Sequence, residues 1–213
     1  MRLVCISDTH GDHEKLELPE GDVLIHAGDF SAHGGEMDTK LAMKWLGAQG
    51  FDLTICIAGN HDTYVEVVPE GAQELADDNG VTLLNDSGCE YQDIRFWGSP
   101  ITPRFHDWSF MRDSGEAIEK HWRMIPQKTD VLITHGPPYG VLDAVLRPNC
   151  QSEHVGCPSL LERVQQVMPT LHLFGHIHEA RGSLSFGGVD YHNISSMNEH
   201  YRLVHQPVVI DLP

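Results

Sequence analysis

Residues 3–10 read LVCISDTH and join a short apolar run to a polar turn that contains an aspartate and a histidine. An apolar run that ends in such a turn is typical of a buried parallel strand whose carboxyl end opens into a loop. The arrangement occurs four more times, before Gly28-Asp29, Gly59-Asn60-His61-Asp62, Thr134-His135-Gly136 and Gly175-His176-Ile177-His178. Because loops converge at the carboxyl edge of an α/β sheet, we expect these distant polar residues to meet there.

The polar turns supply carboxylates, imidazoles and one amide, and no thiolate. This mixed set of oxygen and nitrogen ligands suits Mn²⁺, Fe, Zn²⁺ or Ni²⁺ better than Ca²⁺ or a structural zinc site. Two such ions held close together can activate a water molecule and neutralise charge on a phosphoryl group. Hydrolysis of a phosphate ester is therefore the reaction that the sequence favours.

The order of these motifs along the chain resembles that of the calcineurin-like metallophosphoesterase superfamily. The resemblance implies two divalent metal ions, with Mn²⁺ as the first candidate and Fe, Zn²⁺, Ni²⁺ or Mg²⁺ as alternatives. It places Asp29 between the two ions. The other ligands of the first ion would be Asp8, His10 and His178. The other ligands of the second ion would be Asn60, His135 and His176.

Further residues are expected to contact the substrate. By the resemblance, His61 lies beside the metals, where it stabilises the phosphoryl oxygens or protonates the leaving group, and Asn60 also faces the substrate. Arg104 is a candidate substrate ligand because the planar guanidinium matches the geometry of phosphate; Arg147 and Asn149 are weaker candidates. The expected mechanism is in-line attack on phosphorus by a hydroxide that bridges the two ions, assisted by His61.

Other segments narrow the resemblance to the metallophosphoesterase-domain-containing (MPPED) branch of the superfamily. They are Trp97-Gly98-Ser99-Pro100-Ile101-Thr102-Pro103, His135-Gly136-Pro137-Pro138 and Val155-Gly156-Cys157. Known members of this branch are phosphodiesterases that act on cyclic nucleotides and on artificial aryl diesters. Some members have glycine at the position matching His176 and are weakly active, whereas the histidine is present here. The resemblance therefore implies a complete dinuclear site.

One position departs from the pattern of the phosphoprotein phosphatases in the superfamily. Many of them have an aspartate three residues after the bridging one, where it orients the catalytic histidine, but this chain has Ala32 there. The departure argues against a phosphoprotein phosphatase. Three functions stay open: a phosphodiesterase for cyclic nucleotides or related small diesters, a phosphomonoesterase or phosphoprotein phosphatase on the same metals, and a non-catalytic nucleotide-binding module.

The chain has 31 acidic and 14 basic residues, which gives a formal net charge of −17. Binding of a polyanion needs clustered lysine and arginine, so an extended nucleic acid is not an expected partner. A small phosphodiester or nucleotide is compatible because two bound cations would dominate the local field. The five cysteines follow no disulfide pattern. The sequence has no signal segment or membrane span, so we expect a cytoplasmic protein.

Apolar runs that alternate with helical segments predict an α/β fold. A length of 213 residues, 40% apolar content and the lack of repeats or Gly/Ser linkers predict a single domain over residues 1–213. We predict helices over residues 37–49, 69–79, 115–124 and 159–168, and hairpin-like strands over 183–186, 189–194 and 208–212. The expected architecture is a four-layer α/β/β/α sandwich of two mixed sheets flanked by helices, which the resemblance also implies. By analogy with that fold class, we expect that a homodimer can form. Residues 140–157 lack periodicity and form either a wall over the metals or an ordinary connection.

Overall fold

The computed structural model describes residues 1–147 and 151–212. Its strands are β1 (Arg2–Ile6), β2 (Val23–Ala27), β3 (Leu53–Ile57), β4 (Thr82–Leu84), β5 (Ser87–Tyr91), β6 (Ile94–Ser99), β7 (Thr102–Pro103), β8 (Met111–Arg112), β9 (Val131–Thr134), β10 (Ala144–Leu146), β11 (Ser152–His154), β12 (Leu171–Phe174), β13 (Gly182–Phe186), β14 (Val189–Asn193) and β15 (Val208–Asp211). Its α-helices are α1 (Glu36–Gly47), α2 (Thr63–Val67), α3 (Pro69–Asp77), α4 (Glu116–Met124) and α5 (Pro158–Val167).

Two large sheets form the centre of the fold. The first has the strand order β15-β1-β2-β3-β4, and the second has the order β13-β14-β12-β9-β6-β5. In the first sheet β1 to β4 are parallel, and β15 is antiparallel to β1. In the second sheet β14, β12, β9 and β6 are parallel, with antiparallel β13 and β5 at the edges. Both sheets are mixed, as predicted, and each has a parallel centre.

The two sheets pack face to face through alternate residues of their strands. In β1, Leu3 and Cys5 belong to the apolar core between the sheets, whereas Val4 and Ile6 belong to the core beneath the helices. Strands that are covered on both faces are apolar on both faces, which explains the continuous apolar runs in the sequence. Helices α1 to α3 pack together, as do α4 and α5. The predicted four-layer sandwich is confirmed.

The four predicted helices are present as α1, α3, α4 and α5, with bounds within a few residues of those predicted. Within the described ranges, no helix is both long and apolar enough to cross a membrane. Strands β13 and β14 form the predicted hairpin around Gly187-Gly188. The prediction for residues 208–212 was wrong in one respect: they form a strand, but β15 leaves the hairpin and pairs with β1 in the other sheet.

Residues 140–157 contain a short hairpin in which β10 pairs with β11. The fully buried Asp143 anchors it, because Oδ2 accepts N–H bonds from Gly140 at 2.9 Å and from Gly156 at 2.8 Å. Its Oδ1 lies 2.6 Å from Nδ1 of His154. Asn149, a candidate phosphate ligand, lies outside the described residues. The described part of the segment is therefore a structured hairpin, which the sequence did not predict.

A salt bridge connects β6 to the start of β9. Asp130 accepts a hydrogen bond from the backbone N–H of Arg95 at 3.0 Å and two from its guanidinium at 2.7 and 3.0 Å. The guanidinium hydrogen bonds are the main reason that the pKa of Asp130 lies below its usual value. The folded protein therefore favours the charged carboxylate.

We expect Asp130→Asn to lower the free energy of unfolding at neutral pH by about 1–2 kcal/mol, since charge-assisted hydrogen bonds are lost. Because the folded pKa is lowered, this contribution is present above the unfolded pKa of ~3.9 and disappears as the pH falls through the folded pKa. Urea unfolding from neutral pH to about pH 2.5 measures the difference. Asp78→Asn, at an exposed position, is the control, and a difference that does not change with pH would contradict the assignment.

Candidate metal centre

The polar turns predicted from the sequence converge where the carboxyl ends of β1, β2, β3, β9 and β12 meet. Three groups of side chains have potential ligand atoms within 4.8 Å of one another. They are Asp8, His10 and His178; His10, Asp29 and His61; and Asp29, His135 and His176. We call the first group the first cluster and the third group the second cluster. His10 and Asp29 each occur in two groups, so the three groups form one continuous site.

Several of these side chains come from strained backbone. Asp8, Asp29, His10 and His176 have φ angles of 53°, 55°, 42° and 68°. The left-handed conformation costs a non-glycine residue about 1–2 kcal/mol. Such strain persists only where the surrounding structure holds it, and it clusters at functional sites. Four strained residues at one edge of the sheets therefore mark this edge as the functional one.

Two glycines allow the loops of the site to approach one another. A Cβ atom on Gly59 would overlap Oδ1 of Asp29, and a Cβ atom on Gly175 would overlap Oδ2 of Asp8. Neither glycine has a positive φ angle. Close approach to a carboxylate, and not turn geometry, explains why these positions are glycine.

In the second cluster, His135 is oriented towards Asp29 and Asn60. Its Nδ1 donates a hydrogen bond to the carbonyl oxygen of Ala27 at 3.0 Å. Its Nε2 lies 3.0 Å from Oδ1 of Asn60 and 3.3 Å from Oδ2 of Asp29. A histidine whose Nδ1–H is bound to a carbonyl presents Nε2 as a ligand atom. The predicted second-site ligand Asn60 therefore lies with the second cluster.

In the first cluster, His178 has the same arrangement. Its Nδ1 donates to the carbonyl oxygen of Asn198 at 3.0 Å, and its Nε2 lies 3.5 Å from Oδ1 of Asp8 and 3.4 Å from Nε2 of His10. Asp8 in turn accepts the backbone N–H of His176 through both oxygens, at 3.1 and 3.0 Å. The two clusters are therefore connected through Asp8 and the backbone of His176.

The electrostatics of the site favour bound cations. Burial alone would raise the pKa of Asp29, but His135 holds it well below its usual value. Burial alone would lower the pKa of His135, but the charge of Asp29 raises it to about 9. Burial lowers the pKa of His176 to about 3 and also lowers that of His10. Buried carboxylates and imidazoles together can bind divalent metal ions, and a bound ion would take the place of the proton on His135.

Asp62 is a supporting residue that the sequence analysis did not assign to the site. Its fully buried carboxylate accepts backbone N–H bonds from Asp29 at 2.9 Å, Gly59 at 2.7 Å and Ser31 at 2.9 Å. It therefore connects the loop after β2 to the loop after β3. Burial, followed by the charge of Asp29, raises the pKa of Asp62 to about 7, although the hydrogen bonds from Gly59 and Ser31 favour the charged form. The sequence signal for Asp62 was its position at the end of the polar turn Gly59-Asn60-His61-Asp62.

His61 lies at the mouth of the site. Its backbone N–H donates to Oδ1 of Asp29 at 2.8 Å, and its Nε2 lies 4.0 Å from Oδ2 of Asp29. The rings of His10 and Trp108 contact its imidazole edge-on, each with a centroid distance of 4.7 Å. Many phosphoprotein phosphatases have an aspartate that orients the catalytic histidine, but this chain has Ala32 at that position. Here the contacts with the rings of His10 and Trp108 position His61 instead.

Arg104 lies beside the metal clusters but is paired with carboxylates. Its guanidinium donates to Asp113 and Asp107, each at 2.7 Å. Arg104 and His176 both line a cleft of about 740 Å³. Arg147 lines the same cleft and forms a salt bridge with Glu153. Either arginine can bind phosphate only if it leaves its carboxylate partners or shares them with the phosphate. Phosphate binding by Arg104 or Arg147 therefore stays a prediction.

Comparison with known proteins agrees with this geometry. Residues 1–180 match the family model described as calcineurin-like phosphoesterase. The chain belongs to this family. Metallophosphoesterase domain-containing protein 1 of Homo sapiens is 38% identical to it, over 100% of this chain and 71% of that protein. The Mus musculus protein of the same name gives the same values.

More distant relatives are consistent with this assignment. UPF0046 protein K07C11.7 of Caenorhabditis elegans is 32% identical over 100% of the chain and 76% of that protein. Among solved structures, TT1561 of Thermus thermophilus has a TM-score of 0.63 at 13% identity, over 90% of this chain and 88% of that chain. The structural likeness supports the fold alone. The predicted superfamily and its MPPED-type branch are confirmed, which makes the chain a phosphoesterase of a family that typically depends on two metals.

We expect Asp29→Ala to abolish metal binding at both clusters, because this carboxylate contributes to two of the three groups of candidate ligands. Metal content after dialysis, measured by plasma mass spectrometry, is the test. The control is Asp86→Ala, which removes a carboxylate that lies 2.6 Å from His121. This variant also loses an aspartate paired with a histidine, but it should keep its metal. Retention of two ions by Asp29→Ala would exclude a shared ligand.

We expect Gly175→Ala to weaken metal binding at the first cluster, because the new methyl group must displace the carboxylate of Asp8. The matched control is Gly35→Ala, since a Cβ atom on Gly35 meets nothing within 4 Å. Competition with a chromophoric chelator gives the two affinities. Equal metal affinity in both variants would show that the close approach at Gly175 is not needed.

Proposed function

We propose that the protein is a dinuclear metal-dependent phosphodiesterase that hydrolyses cyclic nucleotides or related small phosphodiesters. The observation that carries the proposal is the position of Asp29, which is shared between the groups of candidate ligands and is nearly fully buried. A shared carboxylate can hold two ions close enough to act on one phosphoryl group. The resemblance to MPPED-type proteins supports the same reaction class.

The charges around the site support a diester over a monoester. A phosphate monoester carries a charge of about −1.5 to −2 at neutral pH, whereas a diester carries a single negative charge. In the described part of the cleft, Arg104 and Arg147 are both paired with carboxylates. Apart from the two ions, the arginines of the cleft therefore have little uncompensated positive charge to offer the extra negative charge of a monoester.

The cleft beside the second cluster supports a substrate with an organic substituent. Its volume of about 740 Å³ lies within the range of small-molecule sites. Phe105 lies 5.4 Å from the ring of His176, and Tyr139 lies 5.7 Å from the ring of His154. Exposed aromatic faces can stack on a planar group such as a nucleobase. The cleft is therefore the proposed place for one substituent of the diester.

Each residue of the site has a distinct task in this proposal. Asp8, His10 and His178 would hold one ion, Asn60, His135 and His176 the other, and Asp29 both. When bound, the ions supply an activated water molecule and neutralise charge on the phosphoryl group; Mn²⁺ is the ion we propose. His61, at the mouth, donates a hydrogen bond to a phosphoryl oxygen or a proton to the leaving group. Asp62 holds the loops of Asp29 and Gly59 together.

We expect the protein reconstituted with Mn²⁺ to hydrolyse bis(p-nitrophenyl) phosphate faster than p-nitrophenyl phosphate, with no turnover in the presence of a chelator. Release of p-nitrophenolate measures both reactions, and 2′,3′- and 3′,5′-cyclic nucleotides are the next substrates to screen. Faster turnover of the monoester would indicate a phosphomonoesterase. No turnover of either ester would favour a nucleotide-binding module.

We expect His61→Ala to lower kcat by about 10²–10⁴-fold, the usual contribution of a positioned acid or base, while two metal ions stay bound. Turnover of the diester and metal content are measured on the same sample. His192→Ala, on strand β14, is the matched control and should keep normal turnover. Loss of metal from His61→Ala would contradict the proposed role, because His61 would then be a ligand.

A further inference from the structure

Tyr201 lies over the first cluster although it belongs to none of the predicted motifs. Its ring centroid is 5.0 Å from those of His10 and His178 and 6.3 Å from that of His61. About half of the residue is exposed, so it stands at the mouth of the site and not beneath it. Within the described chain, its hydroxyl has no hydrogen-bond partner.

A tight turn holds Tyr201 in this position. The backbone N–H of Asn198 donates to the carbonyl oxygen of Arg202 at 3.0 Å, and that of Tyr201 donates to the carbonyl oxygen of Asn198 at 2.9 Å. Oδ1 of Asn198 accepts the N–H groups of His200 and Arg202 at 3.0 and 3.1 Å. Tyr201 itself has a φ angle of 53°, a conformation that is uncommon for a bulky residue and must be held by its surroundings.

The same turn also orients a residue of the first cluster. The carbonyl oxygen of Asn198 accepts both the N–H of Tyr201 and Nδ1–H of His178. One peptide group therefore fixes the position of the tyrosine relative to this imidazole. The phenol hydroxyl of a tyrosine can donate a hydrogen bond.

We propose that Tyr201 is a substrate-binding residue whose hydroxyl donates a hydrogen bond to a phosphoryl oxygen of the bound diester. The assignment rests on the proposed phosphodiesterase function. His61 and Trp108 border the site on one side, and Tyr201 borders it beside His10 and His178. A donor that is fixed before the substrate arrives stabilises developing negative charge without reorganisation. Because Arg104 and Arg147 are paired with carboxylates, a neutral hydroxyl can supply this stabilisation without adding charge to the site.

Tyr201→Phe tests the proposal because it removes the hydroxyl and keeps the ring. We expect kcat/KM for bis(p-nitrophenyl) phosphate to fall about tenfold or more, the usual effect of losing a hydrogen bond to a charged group, while two metal ions stay bound. The matched control is Tyr91→Phe on strand β5, which loses a phenol hydroxyl that binds Asp52. Its turnover should equal that of the unchanged protein.

Calorimetric titration of the metal-loaded proteins with inorganic phosphate gives a second measurement that does not depend on turnover. We expect the Kd for phosphate to rise about tenfold in Tyr201→Phe and to stay unchanged in Tyr91→Phe. Equal kcat/KM and equal Kd in Tyr201→Phe and the unchanged protein would overturn the assignment. Loss of metal from Tyr201→Phe would also overturn it, since the residue would then act through His178. Absence of diester turnover in the unchanged protein, with a phosphate affinity that depends on Tyr201, would refute the proposed function and support the residue.

Discussion

The burial of the Asp29 carboxylate is the constraint on which the rest of the site depends. Moving an ionised carboxylate out of water costs several kcal/mol unless other groups compensate it. Here the compensation comes from the backbone N–H of His61, the imidazole of His135 and the cations that the clusters can bind. Asp62 fixes the backbone of Asp29, and the missing side chain of Gly59 leaves room for its carboxylate. Each of these features follows from the need to keep the buried carboxylate of Asp29 charged.

Strand order explains how residues from five loops reach one carboxylate. β1, β2 and β3 are neighbours in the first sheet, and β9 and β12 are neighbours in the second. Their carboxyl ends therefore form two adjacent rows, which the packing of the sheets brings face to face. The backbone N–H of Gly175 donates a hydrogen bond to the carbonyl oxygen of His135, which connects two loops of the second sheet. The backbone N–H of His176, which donates to Asp8, connects one sheet to the other.

The sequence predicted the parts of the fold and site that have local signals. Apolar runs followed by Asp, Asn or His in a turn identified five strands and the loops that carry the candidate ligands, because these residues directly follow the strand ends in the chain. Contacts made at long range had no such signal. The pairing of β15 with β1, the hydrogen bonds of Asp62 and the place of Tyr201 beside His10 depend on the tertiary fold. The carboxylate partners of Arg104 were missed because side-chain pairing is not encoded by a motif.

The pairing of β15 with β1 has a consequence for the order of folding. Arg2 lies opposite Asp211, so the strand that precedes Asp8 and His10 acquires its outer neighbour only after nearly the whole described chain is available. Contacts between such distant segments form slowly, because the chain between them must be ordered first. During synthesis, β1 emerges from the ribosome long before β15. The strand that precedes Asp8 and His10 is therefore expected to gain its outer neighbour in one of the last steps of folding.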